Sequence, residues 1–142
     1  MKTKYIILTI VLIVCVGMLA GTVYLFNDIF PKAEPIRHPE TDEIVSVTLS
    51  CNTPDATIPM SKKYYEDLIR YISEAKPTRK QSLNDTPTSG AYYGVEIQTG
   101  EKQYRYFVYE EGEQVYIEMP YEGIYEAEDK LFNIVLKYFE ES

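Results

Sequence analysis

The sequence predicts an α+β protein in two parts: an N-terminal transmembrane helix, then a small β-α-β-β-β-α domain with an antiparallel meander and two helices packed on one sheet face. Three observations predict it. Tyr5 to Phe26 is an uncharged run, several later stretches alternate apolar and polar residues, and two others repeat apolar residues at helical spacing. The chain divides accordingly into residues 1–26, a cytoplasmic N-terminus with its signal anchor, residues 27–40, a proline-containing linker, and residues 41–142, the extracytoplasmic domain.

The apolar run would form a helix about 33 Å long, enough to cross a hydrocarbon core of about 30 Å. Lys2 and Lys4 precede it and the next Lys or Arg is Lys32, so the positive-inside bias places the N-terminus in the cytoplasm. Tyr5 and Tyr24 suit the two interfaces, and Thr9 and Thr22 can bond back to their own helix. A cleaved signal peptide shares the basic start but has a shorter apolar centre and a small-x-small exit, which Met18-Leu19-Ala20 does not supply. Cleavage would make the domain a secreted factor. Gly17 and Gly21 have the spacing that could bring two copies of the helix together as a dimer.

All 22 acidic residues follow Phe26, with 12 of the 14 basic ones, leaving the outer part at −10. That excludes nucleic acid as a natural partner, because phosphate backbones are bound through basic patches. Cys51 is the one cysteine outside the membrane segment, so no disulfide can staple the domain. His38 is the one histidine, no Cys/His cluster exists to hold zinc, and no metal or cofactor is expected.

From Asn27 to Glu40, Pro31, Pro35 and Pro39 recur every fourth residue, which favours an extended spacer and reads as a stalk. Glu43 to Ser50 alternates as a half-buried strand with Val45, Val47 and Leu49 inward, and Asn52 to Asp55 breaks it. Ser61 to Ala75 reads as a helix capped by Ser61, with Tyr64, Tyr65, Leu68, Ile69 and Ile72 on one stripe.

Three strands follow. A type II′ turn at Gly100-Glu101 would pair Ile97 with Tyr104 and Val95 with Tyr106; a turn at Glu111-Gly112 would pair Val108 with Val115 and Tyr106 with Ile117. The opposite face would then carry Glu96, Arg105 and Glu118 as one row across the sheet. A last helix is expected over Glu126 to Glu140, with Tyr121 and Tyr125 sealing the core edge at its start.

Residues 77–90 form a long polar loop, and long ordered loops are often functional. Arg79 and Lys80 could receive an anionic group there, with Ser82, Asn84 and Thr86 supplying hydrogen bonds and Asp85 counted with them as a site residue. Phe107, Tyr109 and Tyr116 on the outer sheet face are a second candidate contact surface. A hydrolase reading would use Ser82 with Lys80 as its base, but a polar loop does not desolvate that lysine, so no catalytic residue is assigned.

Pro77 to Pro87, Tyr104-Arg105-Tyr106-Phe107 and Pro120 to Tyr125 together resemble a family of small extracytoplasmic proteins of Gram-positive bacteria, the domain of unknown function 5301. The resemblance covers about residues 41 to 140. It implies a cell-envelope setting and brings no activity, ligand or catalytic residue. The chain is therefore expected to be a membrane-anchored interaction or ligand-sensing module, binding an envelope protein or surface ligand, and not an enzyme.

Overall fold

The structure, a computed structural model, describes residues 2–88 and 90–140. The chain forms two compact units, residues 1–32 and 33–142. In the first, helix α1 spans Lys2–Ile29, and its stretch Lys4–Ile29 is long and apolar enough to cross a membrane. No part of that stretch is buried within the protein. The hydroxyls of Thr9 and Thr22 donate to the carbonyls of Tyr5 and Met18, at 2.9 and 2.6 Å. Both hydroxyls are thus satisfied without water, as an apolar setting demands.

The second unit is an antiparallel sheet of seven strands with two helices. Its elements are β1 (Ile44–Asn52), β2 (Asp55–Pro59), α2 (Tyr65–Ser73), β3 (Lys76–Pro77), β4 (Tyr93–Thr99), β5 (Gln103–Glu111), β6 (Gln114–Met119), β7 (Gly123–Ala127) and α3 (Asp129–Glu140). Across the sheet the strands run β2-β1-β4-β5-β6-β7-β3. The expected meander therefore holds the centre, with β1 beside β4. Three short strands, β2, β3 and β7, extend the sheet at its edges. Each is five residues or fewer, too short for periodicity to register.

One face of the sheet packs on both helices. Val47, Leu49, Val95, Ile97, Tyr106, Val108, Val115, Ile117 and Tyr125 meet Leu68, Ile69, Ile72, Leu131 and Val135 in a single core. Cys51 is buried with a free thiol. Val45, expected inward, is exposed, because the β1–β4 pairing shifts register between Ile44 and Ser46. Ser61 precedes a short 3₁₀ turn, Lys62–Tyr64, but makes no side-chain cap; its backbone N–H donates instead to the Tyr138 hydroxyl at 2.7 Å. The last helix begins at Asp129, later than expected, because Gly123–Ala127 pairs with β6 as a strand.

The two hairpins differ in how well their registers are foreseen. In β4–β5, Ile97 faces Tyr104, Val95 faces Tyr106 and Tyr93 faces Val108, as the alternation requires. Its turn is not type II′, since Gly100 lacks a positive φ. The Thr99 hydroxyl closes it by accepting from the N–H of Lys102 at 3.0 Å. In β5–β6 the expected pairing is displaced by two residues: Val108 faces Ile117, Tyr109 faces Tyr116 and Phe107 faces Glu118.

The cause is at the turn, where Glu111 pairs with Gln114 and Gly112 takes φ +68° at the first central position. A type II′ turn needs positive φ there, and Glu111 would have had to adopt it in the expected register. A two-residue shift keeps every side chain on its own face. It nevertheless breaks the row of charges, because Glu118 leaves Arg105 and comes to lie opposite Phe107.

The second half of the proline-containing segment is not a free stalk. Residues from Ala33 onward belong to the folded unit. Ala33 donates its N–H to the Thr78 carbonyl at 2.9 Å, Ile36 is buried in the core, and the Arg37 carbonyl accepts the Tyr106 hydroxyl at 2.6 Å. Proline keeps the segment extended, and Ile36 gives it an apolar anchor.

Candidate functional site

The loop between β3 and β4 lies on the sheet face opposite the helices, so the two surfaces singled out in the sequence are one. Thr78 starts it, donating its N–H and its hydroxyl to the Ile124 carbonyl at 3.1 and 2.6 Å. Asn52 closes it, donating from its amide to the Gly90 carbonyl at 3.1 Å and accepting the Tyr92 N–H at 2.8 Å. Phe107 is buried beneath, edge-on to Tyr92 with ring centres 5.2 Å apart. It is not an exposed contact aromatic, because the loop supplies the cover. Tyr109 and Tyr116 are half-buried, 5.9 Å apart.

Beneath the loop, Ser82 and Glu118 are both buried, and the Ser82 hydroxyl donates to Glu118 Oε1 at 2.6 Å. The Ser82 Oγ in turn accepts the Tyr121 N–H at 3.3 Å. Lys80 forms an ion pair with Glu111 and lies 4.0 Å from the centre of the Tyr116 ring. The hydrogen bond from Lys80 to Glu111 holds the ammonium pKa above its ordinary value. Lys80 and Ser82 are thus engaged with different carboxylates and are not paired with each other. Arg79 is half-buried, while Asn84 and Asp85 are exposed.

A depression of about 440 Å³ opens at this loop, lined by Lys80, Leu83, Asn84, Tyr109 and Glu118 among others. Leu83 stands 69% exposed beside it.

A second depression, of about 540 Å³, gathers four separate segments. Arg37 comes from the extended N-terminal segment, Asp85 from the loop, Lys102 to Arg105 from the start of β5, and Met119 to Glu122 from the β6–β7 turn. Arg37 grips Glu122 through both Nε, at 3.0 Å, and Nη2. Arg105 is 3.5 Å from Glu96, and Lys102 has no acidic partner among the described residues.

Tyr121 stands at this depression in an unusual backbone state. Glu122 donates its N–H to the Met119 carbonyl at 3.0 Å, with Pro120 second in the turn and Tyr121 third at φ +63°. That is the arrangement of a type II turn, whose third position favours glycine. A tyrosine there costs on the order of 1 kcal/mol in backbone strain. Tyr121 is nonetheless 65% exposed, so burial does not repay the strain. Its hydroxyl donates to Asp85 Oδ1 at 3.0 Å, and that bond raises the phenol pKa.

Sequence reasoning placed Tyr121 at the core edge and read Arg37 as part of a stalk. Pro120 marked a turn but could not say which residue would carry the positive φ. Asp85, chosen from the sequence, is the one candidate that lines this second depression.

No curated protein matches the chain. One solved structure, titled "NMR structure of the protein from Ruminococcus gnavus", is similar at 28% identity and a TM-score of 0.54. The likeness covers 64% of this chain and 89% of that one. The DUF5301 family model, described as "Domain of unknown function (DUF5300)", matches residues 32–126. That span begins within the extended segment and takes in the loop, the meander and the strained turn, and the chain belongs to this family.

Proposed function

We propose that the protein is a membrane-tethered, extracytoplasmic binding module of the cell envelope, non-catalytic, with the depression beside Tyr121 as its binding site. The observation that carries the reading is Tyr121 itself. A large aromatic ring is held exposed, in a backbone conformation that disfavours it, by hydrogen bonds from its N–H to Ser82 and from its hydroxyl to Asp85. Strain of this kind clusters at ligand clamps. Fixing an exposed ring before the ligand arrives lowers the ordering cost of binding.

The tether is α1, and the absence of Lys or Arg between Lys4 and Lys32 favours an inside-to-outside orientation. The expected cationic site at Arg79 and Lys80 is weaker support, since Glu111 already occupies Lys80. A photoreactive phenylalanine analogue at position 121, activated in intact cells, should capture an envelope component. The same analogue at Val45, 59% exposed, should not. Identical adducts at both positions would refute the assignment.

A further inference from the structure

Resting on that reading, we infer that the depression beside Tyr121 takes a short saccharide bearing an acidic substituent. Saccharides present an apolar C–H face and a rim of hydroxyls, so they call for a fixed aromatic ring with forked polar side chains around it. The depression has that composition. Tyr121 and Tyr104 supply rings, Gln103 and Arg105 supply side-chain donors, and Asp85 supplies a carboxylate acceptor. A volume of about 540 Å³ lies within the range of small-ligand sites, roughly 300–1,000 Å³.

Charge selects the acidic substituent. Arg37 is neutralised by Glu122 and Tyr121 occupies one oxygen of Asp85. Lys102, without an acidic partner among the described residues, and Arg105, only loosely held by Glu96 at 3.5 Å, remain to address the ligand. The lining itself holds three cations against two carboxylates, with Glu96 on the far side of Arg105 and Glu43 and Glu101 in the adjoining depression, on an outer part of net charge −10. Screening acts over about 10 Å at 0.1 M salt, so a short acidic saccharide feels the lining while a long polyanion also meets the repulsive surface around it.

The test uses the full chain in nanodiscs, with saturation-transfer NMR and titration against hyaluronan tetrasaccharide, chitotetraose and inorganic phosphate. The acidic tetrasaccharide should bind about tenfold more tightly than neutral chitotetraose, with saturation passing to its sugar-ring protons. Tyr121→Asn keeps a residue that accepts positive φ and should abolish that transfer; Tyr121→Phe keeps the ring and should retain it. Lys102→Gln should erase the preference for the acidic probe. Equal binding of the two saccharides, phosphate binding as tightly as the tetrasaccharide, or transfer unaffected by Tyr121→Asn would each overturn the inference. If no saccharide binds while the position-121 crosslink persists, the ligand class is wrong and the binding module stands. If the crosslink is also lost, both fail.

Discussion

The buried hydroxyl of Ser82 donates to the buried carboxylate of Glu118 at 2.6 Å, and its oxygen accepts the N–H of Tyr121 at 3.3 Å. One loop residue therefore joins the end of β6 to the strained turn that follows it. Ser82 is the bolt of the loop, its hydroxyl bonded to Glu118 while Lys80 pairs with Glu111.

Replacing Ser82 with alanine should leave Glu118 without this hydrogen bond beneath the loop. The expected cost is about 1–3 kcal/mol, since a buried carboxylate loses one of its donors and keeps only the hydrogen bond with Tyr109. Chemical denaturation followed by near-ultraviolet circular dichroism measures it. The loop should also become open to proteolysis at Leu83, which is already exposed. A change below about 0.5 kcal/mol, the ordinary level for surface substitutions, would show that the hydrogen bond does not hold the loop.

Gly123 tests whether the extended N-terminal segment is docked. A Cβ there would meet the Cβ of Ala33 at 2.5 Å, closer than such atoms approach. Gly123→Ala should destabilise the unit by about 1–3 kcal/mol, the usual range for overpacking. Adding Ala33→Gly removes the opposing methyl and should restore most of the loss. A free stalk predicts no rescue, and the double-mutant cycle separates the two.

Alkaline pH should unfold the domain. Burial pushes the phenol pKa values of Tyr106 and Tyr109 well above normal. The unfolded chain ionises these groups near pH 10, while the folded chain keeps them protonated. Their contribution is whole below about pH 10 and is lost as pH rises toward the folded values, by up to about 1.4 kcal/mol per pH unit for the fully enclosed Tyr106. Denaturation midpoints measured from pH 8 to 12 should fall only in the upper part of that range. Tyr106→Phe should flatten the fall, at the expense of the bond to the Arg37 carbonyl.

Orientation is open to direct labelling. Lys63 is exposed, whereas Cys51 is buried and Cys15 lies within the apolar helix, so background reaction is low. Lys63→Cys should react with a membrane-impermeant maleimide in intact cells, and Lys4→Cys only after permeabilisation. The reverse pattern would place the domain in the cytoplasm. N-terminal sequencing of the same preparation should find the helix retained.

The sequence by itself determined the apolar helix, the α+β class, the two helical stripes, the β4–β5 register and the inward faces of β4, β5 and β6. These follow from local periodicity, which a few neighbouring residues are enough to express. It also carried the family resemblance, through the loop and the Pro120 to Tyr125 stretch. Only the tertiary structure decided where the loop lies, which residue of the Pro120 turn takes positive φ, and that Ile36 and Arg37 are parts of the domain. The same holds for Glu118, which left Arg105 for Ser82 when Gly112 took the position that glutamate could not. Each of these depends on partners distant in the chain, Arg37 with Glu122 and Ser82 with Glu118 among them. Such pairings leave no periodic trace, because what selects them is the satisfaction of buried polar groups and the fit of close-packed atoms after the chain has folded.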